Sequence, residues 1–254
     1  MSDIIDLRAL LKNWPYDPEN DARLVAGDDG RQILQVRTAM GVEQYEMEGR
    51  PDGERPHGME SFLEFHLKQL EDAKSKGQEA DFDLAPRECG ELFHEGTLYY
   101  FRYVRLFQLR DWVRTIRDTN RNLRVFDLVH RYARREEDQQ FLEKWRPYIL
   151  RVQASASAML ELEKGGYDKA LRLATDAIEK IEALGNLDEE TFTFERERSL
   201  TALKDLRAQI QKNRPLSELE QLEKQMDHAI ERQEFERAAN LRDRIRELRK
   251  QHIC

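Results

Sequence analysis

The sequence predicts a mainly α protein with a small N-terminal antiparallel β meander, a body of helical hairpins and a C-terminal antiparallel helical hairpin. Three observations predict it. Charged residues make up 36% of the 254, above the usual quarter, while Gly and Pro number only 12 and 7. Three short strand-like runs, punctuated by turn glycines, precede residue 50. From about residue 90, apolar residues recur at helical steps almost to the end.

In chain order, residues 4–13 read as a short amphipathic helix. The strand runs are "ARLVAG", "RQILQVRT" and "GVEQYEME", within 22–48. "DDG" and "AMG" join them, with Gly30 and Gly41 available for positive φ. Val42, Tyr45 and Met47 are expected on one side, and so small a sheet must pack on something. Residues 49–58 form a loop. Residues 59–77 form a helix with Phe62, Phe65, Leu67 and Leu70 inward. A second loop covers 78–88. "TLYYFRYVRLFQL" (97–109) is helical and runs on into "RDWVRTIR". Further helices are expected at 121–134, 138–163, 167–184 and 188–212, with breaks near "DTN", "REED", "KGGY" and "LGNLD".

"GGYDKALRLATDA" resembles the second half of a tetratricopeptide repeat. Gly165, Tyr167, Ala170 and Ala177 carry the likeness, which covers 151–184 at most. Ala154 stands where that family has a large aromatic, and no second copy follows at the same period. The resemblance therefore implies close helix packing rather than a peptide groove.

Pro215 marks a boundary, and Ser217 with Glu220 forms an S-x-x-E capping box. The expected units are 1–80, 81–213 and 214–254. Beyond the cap, Leu219, Leu222, Met226 and Ala229 form one narrow helical face. Phe235, Ala238, Leu241, Ile245 and Leu248 form another. The short turn between them folds the helices back on each other. A pair this small buries little surface, so a third element is expected against it.

Residues 219–251, "LEQLEKQMDHAIERQEFERAANLRDRIRELRKQ", resemble the UVR motif. This helical hairpin is shared by subunits B and C of the bacterial excision-repair nuclease, some Clp-type chaperones and adaptors of protein quality control. "FE-x-AA-x-LRD" is its most specific part, running from Phe235 to Asp243. The resemblance implies a protein–protein contact device without catalytic residues. It makes Leu219, Leu222, Met226, Phe235, Ala238, Ala239, Leu241, Arg242, Asp243 and Ile245 the candidate partner-binding residues. Phe235 is the expected anchor, the alanines give room for a facing helix, and Arg242 and Asp243 place charge at the rim. The bland alternative is that the hairpin merely closes on the chain's own body.

Other chemistry is sparse. No phosphate loop, helicase motif or nuclease carboxylate cluster is present, nor the CxxC knuckles common in the quality-control adaptors. Cys89 and Cys254 suggest neither a disulfide framework nor a zinc site, and a reducing cytoplasm is expected. The start lacks a signal-peptide pattern, and no run is long and apolar enough for a membrane span. His57 in "RPHG" is a weak anion-site candidate before a helix start.

Arg110, Arg114, Arg117, Arg121 and Arg124 step along one helix face, with Tyr99, Tyr100, Tyr103 and Phe107 nearby. That stripe is a candidate nucleic-acid surface, although the net charge of −8 leaves many carboxylates to neutralise it. The expected function is a bacterial, cytoplasmic, non-enzymatic adaptor without cofactor or metal. Its partner is a repair subunit or Clp-type chaperone carrying a helical hairpin, or a second copy. A nucleic-acid binder is the runner-up.

Overall fold

The computed structural model describes residues 6–216 and 218–251. Two units emerge, Met1–Ala208 and Gln209–Cys254. The first opens with α1 (Arg8–Asn13); positions 4 and 5 of the expected helix lie outside the described residues. Strands β1 (Ala22–Ala26), β2 (Gln32–Arg37) and β3 (Val42–Glu46) form the expected antiparallel meander in sequence order. Leu34 pairs with both Leu24 and Tyr45. That register corrects one expectation: Val42 pairs with Arg37, on the face opposite Tyr45 and Met47. Gly30 takes φ +79° in the first turn. Gly41 does not take a positive φ; Thr38 closes the second turn through its backbone N–H and its Oγ1.

Leu34, Val36, Tyr45 and Met47 bury against Leu106 of a long helix, the support so small a sheet needs. Helix α2 (Phe62–Ser75) starts at the Ser61 cap, whose Oγ accepts the Glu64 N–H at 3.2 Å. Its buried face is Leu63, His66 and Leu70. Phe62 and Leu67 are half-buried beside it, and Phe65 stacks on His57. The expected loop at 78–88 is shorter, because α3 (Pro86–Gln108) begins at Pro86, where a missing N–H costs nothing. The aromatic stretch from 97 to 108 lies within it as helix, and Leu109 is its C-cap.

The chain does not continue straight into "RDWVRTIR". Arg110 takes φ +60°, Asp111 caps the Arg114 N–H, and α4 (Trp112–Tyr132) folds back on α3. The expected break at "DTN" is absent. Asp118 and Thr119 are fully buried in mid-helix; Arg102 of α3 satisfies Asp118, and the Thr119 hydroxyl donates back to the Thr115 and Ile116 carbonyls of its own helix. Leu84 bridges to the end of α4, donating to the Tyr132 carbonyl at 2.7 Å and accepting from the Arg134 N–H at 3.1 Å. The helix expected at 138–163 is split into α5 (Glu136–Phe141), a 3-10 turn at Glu143–Trp145, and α6 (Arg146–Glu163). Pro147 belongs to a first turn, so a helix must begin just before it.

Helices α7 (Tyr167–Glu182) and α8 (Glu190–Asn213) follow as expected. Gly165 takes φ +75° between α6 and α7. Ala154 and Ala177 join Ile178, Ile181 and Leu203 in a small core. The hairpin forms, but beyond it nothing supports the tetratricopeptide resemblance. The second unit holds the end of α8, then α9 (Glu218–Glu231) and α10 (Phe235–Gln251). Ser217 of the expected capping box lies outside the described residues; Glu220 pairs with Arg214. Among the described residues no helix is long and apolar enough to cross a membrane, and no group of three metal-binding side chains converges.

Candidate functional site

The arginine stripe and the C-terminal hairpin are the two candidate surfaces. Arg114, Arg117, Arg121 and Arg124 share unbroken α4, while Arg110 sits exposed on the preceding turn. Arg114 pairs with Asp111 at 2.7 Å and reaches Gln32 at 3.0 Å. Arg117 pairs with Glu48 at 2.7 Å and Asp118 at 2.9 Å, and donates to the Met47 carbonyl at 2.6 Å. Arg124 pairs with Glu64 at 3.2 Å. Arg121 is buried, contacts the Glu95 carboxylate and lies 4.0 Å over the Tyr99 ring. Burial presses its pKa below the usual guanidinium range.

Arg102, Asp118, Glu95 and Arg50 are buried charges that the sequence does not mark as such. Arg102 grips Asp118 with two parallel bonds at 2.7 and 2.9 Å, both side chains only 1% exposed. The same guanidinium donates to the Glu46 and Gly49 carbonyls at 2.7 and 2.9 Å, tying the exit of the sheet to α3. Glu95 accepts from the Phe62 and Leu63 N–H groups at 2.8 and 3.2 Å and contacts Arg50. It therefore neutralises the N-terminus of α2 from a neighbouring helix. Two signals are available in the sequence, an Arg inside an aromatic run and an Asp in the run "DTN". Neither marks burial until α3 and α4 are paired.

The hairpin is built differently. Leu222, Ala229, Ala238, Leu241 and Ile245 form its buried seam, with Leu219, Met226 and Leu248 packed beside them. Four of the candidate partner-binding residues (Leu222, Ala238, Leu241 and Ile245) thus face inward, between the hairpin's own two helices. Met226, Leu219 and Ala239 are half-buried. The turn closes through the Glu234 N–H to the Ala229 carbonyl at 2.8 Å, with Gln233 at φ +60°. Two large apolar side chains flank that turn outside the seam: Phe235, 68% exposed, and Ile230, 49% exposed. Ile230 was missed because it falls one residue off the seam periodicity. Arg242 and Asp243 pair with each other at 3.0 Å and are both exposed.

Residues 217–251 match the family model of the UvrB/uvrC motif. The hairpin is a UvrB/uvrC motif. Such motifs belong to DNA-repair and protein-interaction settings. The match leaves residues 1–216 without a family. No curated protein and no solved structure matches the chain.

Away from the UvrB/uvrC hairpin, chemistry-bearing side chains are quiet. Burial raises the Cys89 thiol pKa to about 11, which keeps it protonated and unreactive at neutral pH. His57 takes φ +51° and stacks on Phe65 at 4.0 Å.

Proposed function

We propose that this protein is a cytoplasmic adaptor without a catalytic site of its own, which docks on a protein partner through the UvrB/uvrC hairpin. The observation that carries the reading is the pair Ile230 and Phe235. They are large and apolar, stand exposed beside the turn of a motif of known interaction type, and are not needed for the hairpin's own seam. The partner is a protein presenting a helical hairpin, in excision repair or in Clp-type quality control, or a second copy of this chain. Arg242 and Asp243 serve as rim charges that fix register.

The nucleic-acid reading has less support. Arg114, Arg117, Arg121 and Arg124 already spend their charge on carboxylates within the chain. It would predict DNA affinity that falls steeply with salt and is lost on reversal of Arg114 and Arg117.

The test is a nuclease-treated capture from cell lysate with intact protein and Phe235→Ala, with bound proteins identified by mass spectrometry. The proposal expects a repair subunit, a Clp-type chaperone or the endogenous copy of this chain with the intact bait only. Identical captures from both baits would overturn it.

A further inference from the structure

The sheet has two outer edges, and the chain closes only one of them. At β3 the outward groups of Glu46 are taken: its N–H donates to the Pro51 carbonyl at 2.8 Å, and its carbonyl accepts from Arg102 at 2.7 Å. At β1 the edge stays open. The Arg37 N–H donates to the Asp21 carbonyl at 2.6 Å and the Gly27 N–H to the Arg31 carbonyl at 2.8 Å, which fixes the alternation of the ladder. Asp21, Arg23, Val25 and Gly27 turn their backbone groups toward β2, so Ala22, Leu24 and Ala26 turn theirs away from it. None of those outward N–H or carbonyl groups has a hydrogen-bond partner among the described residues. Folded proteins blunt such edges with proline, a bulge or an inward charge. The run "ARLVA" has none of them, and its register is unbroken. Its one charged residue, Arg23, donates to Gln35 across the sheet at 2.8 Å and lies 3.8 Å over the Trp14 ring. Ala22 and Leu24 pack beside the core under the sheet, which holds the edge in an extended shape.

We propose that the outer edge of β1 binds an extended segment of a partner protein as a fourth strand, a segment with an apolar centre and basic residues at its ends. Backbone hydrogen bonds to Ala22, Leu24 and Ala26 supply the affinity, and the flanking charge selects the segment. Both ends of β1 are acidic: residues 17–29 hold five acids against one arginine. Asp21 and Asp29 are paired with Arg105 and Arg31. Glu19 and Asp28 are exposed and have no ion pair among the described residues. The same charge argues against a second copy of this chain. Antiparallel pairing of β1 with itself about Leu24 sets Glu19 and Asn20 of one copy beside Asp29 and Asp28 of the other. A segment with lysine or arginine at those places is attracted at both ends. The site belongs to the first unit, and it stands or falls independently of the hairpin reading.

The experiment is fluorescence anisotropy of the full chain with a labelled synthetic peptide that alternates valine and threonine between paired lysines at each end. The peptide is expected to bind, more weakly as salt rises. A bound strand turns every second N–H toward its neighbour. Backbone N-methylation of one alternate set of central residues should therefore weaken binding by roughly tenfold or more, while methylation of the other set leaves it near the parent. Glutamates in place of the lysines should also weaken binding by roughly tenfold or more. In the protein, Ala26→Pro removes an outward N–H at an edge position that tolerates proline, and should weaken binding with the ladder intact. Circular dichroism checks the fold of that variant, and the methylated peptides decide the matter if it is disturbed, because they leave the protein unchanged. No binding of the lysine peptide overturns the proposal. So does equal affinity for the two methylated peptides, or for the lysine and glutamate peptides. A chain that dimerises alone and becomes monomeric on Ala26→Pro also overturns it, and assigns the edge to a second copy.

Discussion

Between α3 and α4 the packing seam is charged. Arg102 faces Asp118, Arg121 faces Glu95, and Tyr99 lies between the two guanidinium groups. Between α9 and α10 the seam is apolar, and the charge lies outside. Both are antiparallel helical hairpins rich in arginine, so the count of arginines says nothing about which surface is available. What separates them is where the partners are. Arg102 and Arg117 donate to the chain's own carboxylates and carbonyls, while Arg121 is held by its contact with Glu95 and its place over Tyr99; together they fix how the sheet and α2 meet the helices. On α10, Arg242 pairs with its exposed neighbour Asp243, Arg237 with Glu234 and Arg249 with Glu223, all at the surface and outside the apolar seam.

The largest expected effect tests the inward side of that contrast. Asp118→Ala strands Arg102 in a buried site and removes a partner of Arg117. Losing one member of a buried, bidentate pair costs about 3–5 kcal/mol, so the urea midpoint of the first unit should fall sharply. A change below about 1 kcal/mol would mean that water reaches Arg102 and that the charged seam is not structural.

The outward side is tested by a pair of substitutions in one helix. Leu241→Ala opens the seam of the small hairpin and should cost about 2–5 kcal/mol, enough to melt α9 and α10 while the rest of the chain keeps its helices. Phe235→Ala, ten ångströms or so along the same helix by its rise, should leave stability within about 0.5 kcal/mol, because it touches no seam. Hydrogen exchange of α9 and α10 separates the two. If Phe235→Ala also speeds exchange, its ring packs within the fold and the docking reading weakens.

The sequence carried the hairpin well, because a narrow stripe at steps of three and four needs only one neighbouring helix to be read. Leu222, Ala229, Leu241 and Ile245 were legible as a seam; whether that seam faced inward or outward was not, since periodicity gives a face and not its occupant. The sheet was legible from its alternation and turn residues, apart from the side of Val42, where one residue of register reverses the face. The α3–α4 turn was illegible. No Gly or Pro marks it, and Arg110 adopts a left-handed conformation that nothing local demands. The buried network followed from that miss. Asp118 reads as part of a helix break because its partner Arg102 lies on the other helix of the folded hairpin.

A smaller effect concerns His66, which sits among the buried residues of α2 and so belongs to the inward-facing class. Its Nδ1 meets Gln69 at 3.0 Å, and its Nε2 has no hydrogen-bond partner among the described residues. Burial lowers its pKa below 6.5, against the opposing pull of the Gln69 hydrogen bond and of Glu88 and Glu91, with a small further lowering from His57. The unfolded chain therefore takes up a proton near pH 6.5 that the folded chain refuses. Stability should fall as pH drops through 6.5 toward the folded-state value, by at most about 1.4 kcal/mol per pH unit for this one group. Urea titrations between pH 5 and 8 should give a shallower slope for His66→Gln than for the parent; equal slopes would place the acid sensitivity elsewhere.

The smallest expected effect marks the boundary between the two kinds of arginine within a single helix. Arg124 is one turn beyond Arg121 on α4, yet its pair with Glu64 is open to solvent on both sides. Such pairs contribute little, because water and salt screen them and two long side chains must be held still. Arg124→Ala should therefore change stability by no more than about 0.5 kcal/mol. Arg121→Ala leaves Glu95 short of a partner and should cost several times as much. Comparable losses from the two substitutions would mean that exposure does not sort these arginines. The contrast between the inward and outward hairpins would then lose its physical basis on α4, where the two kinds sit closest together.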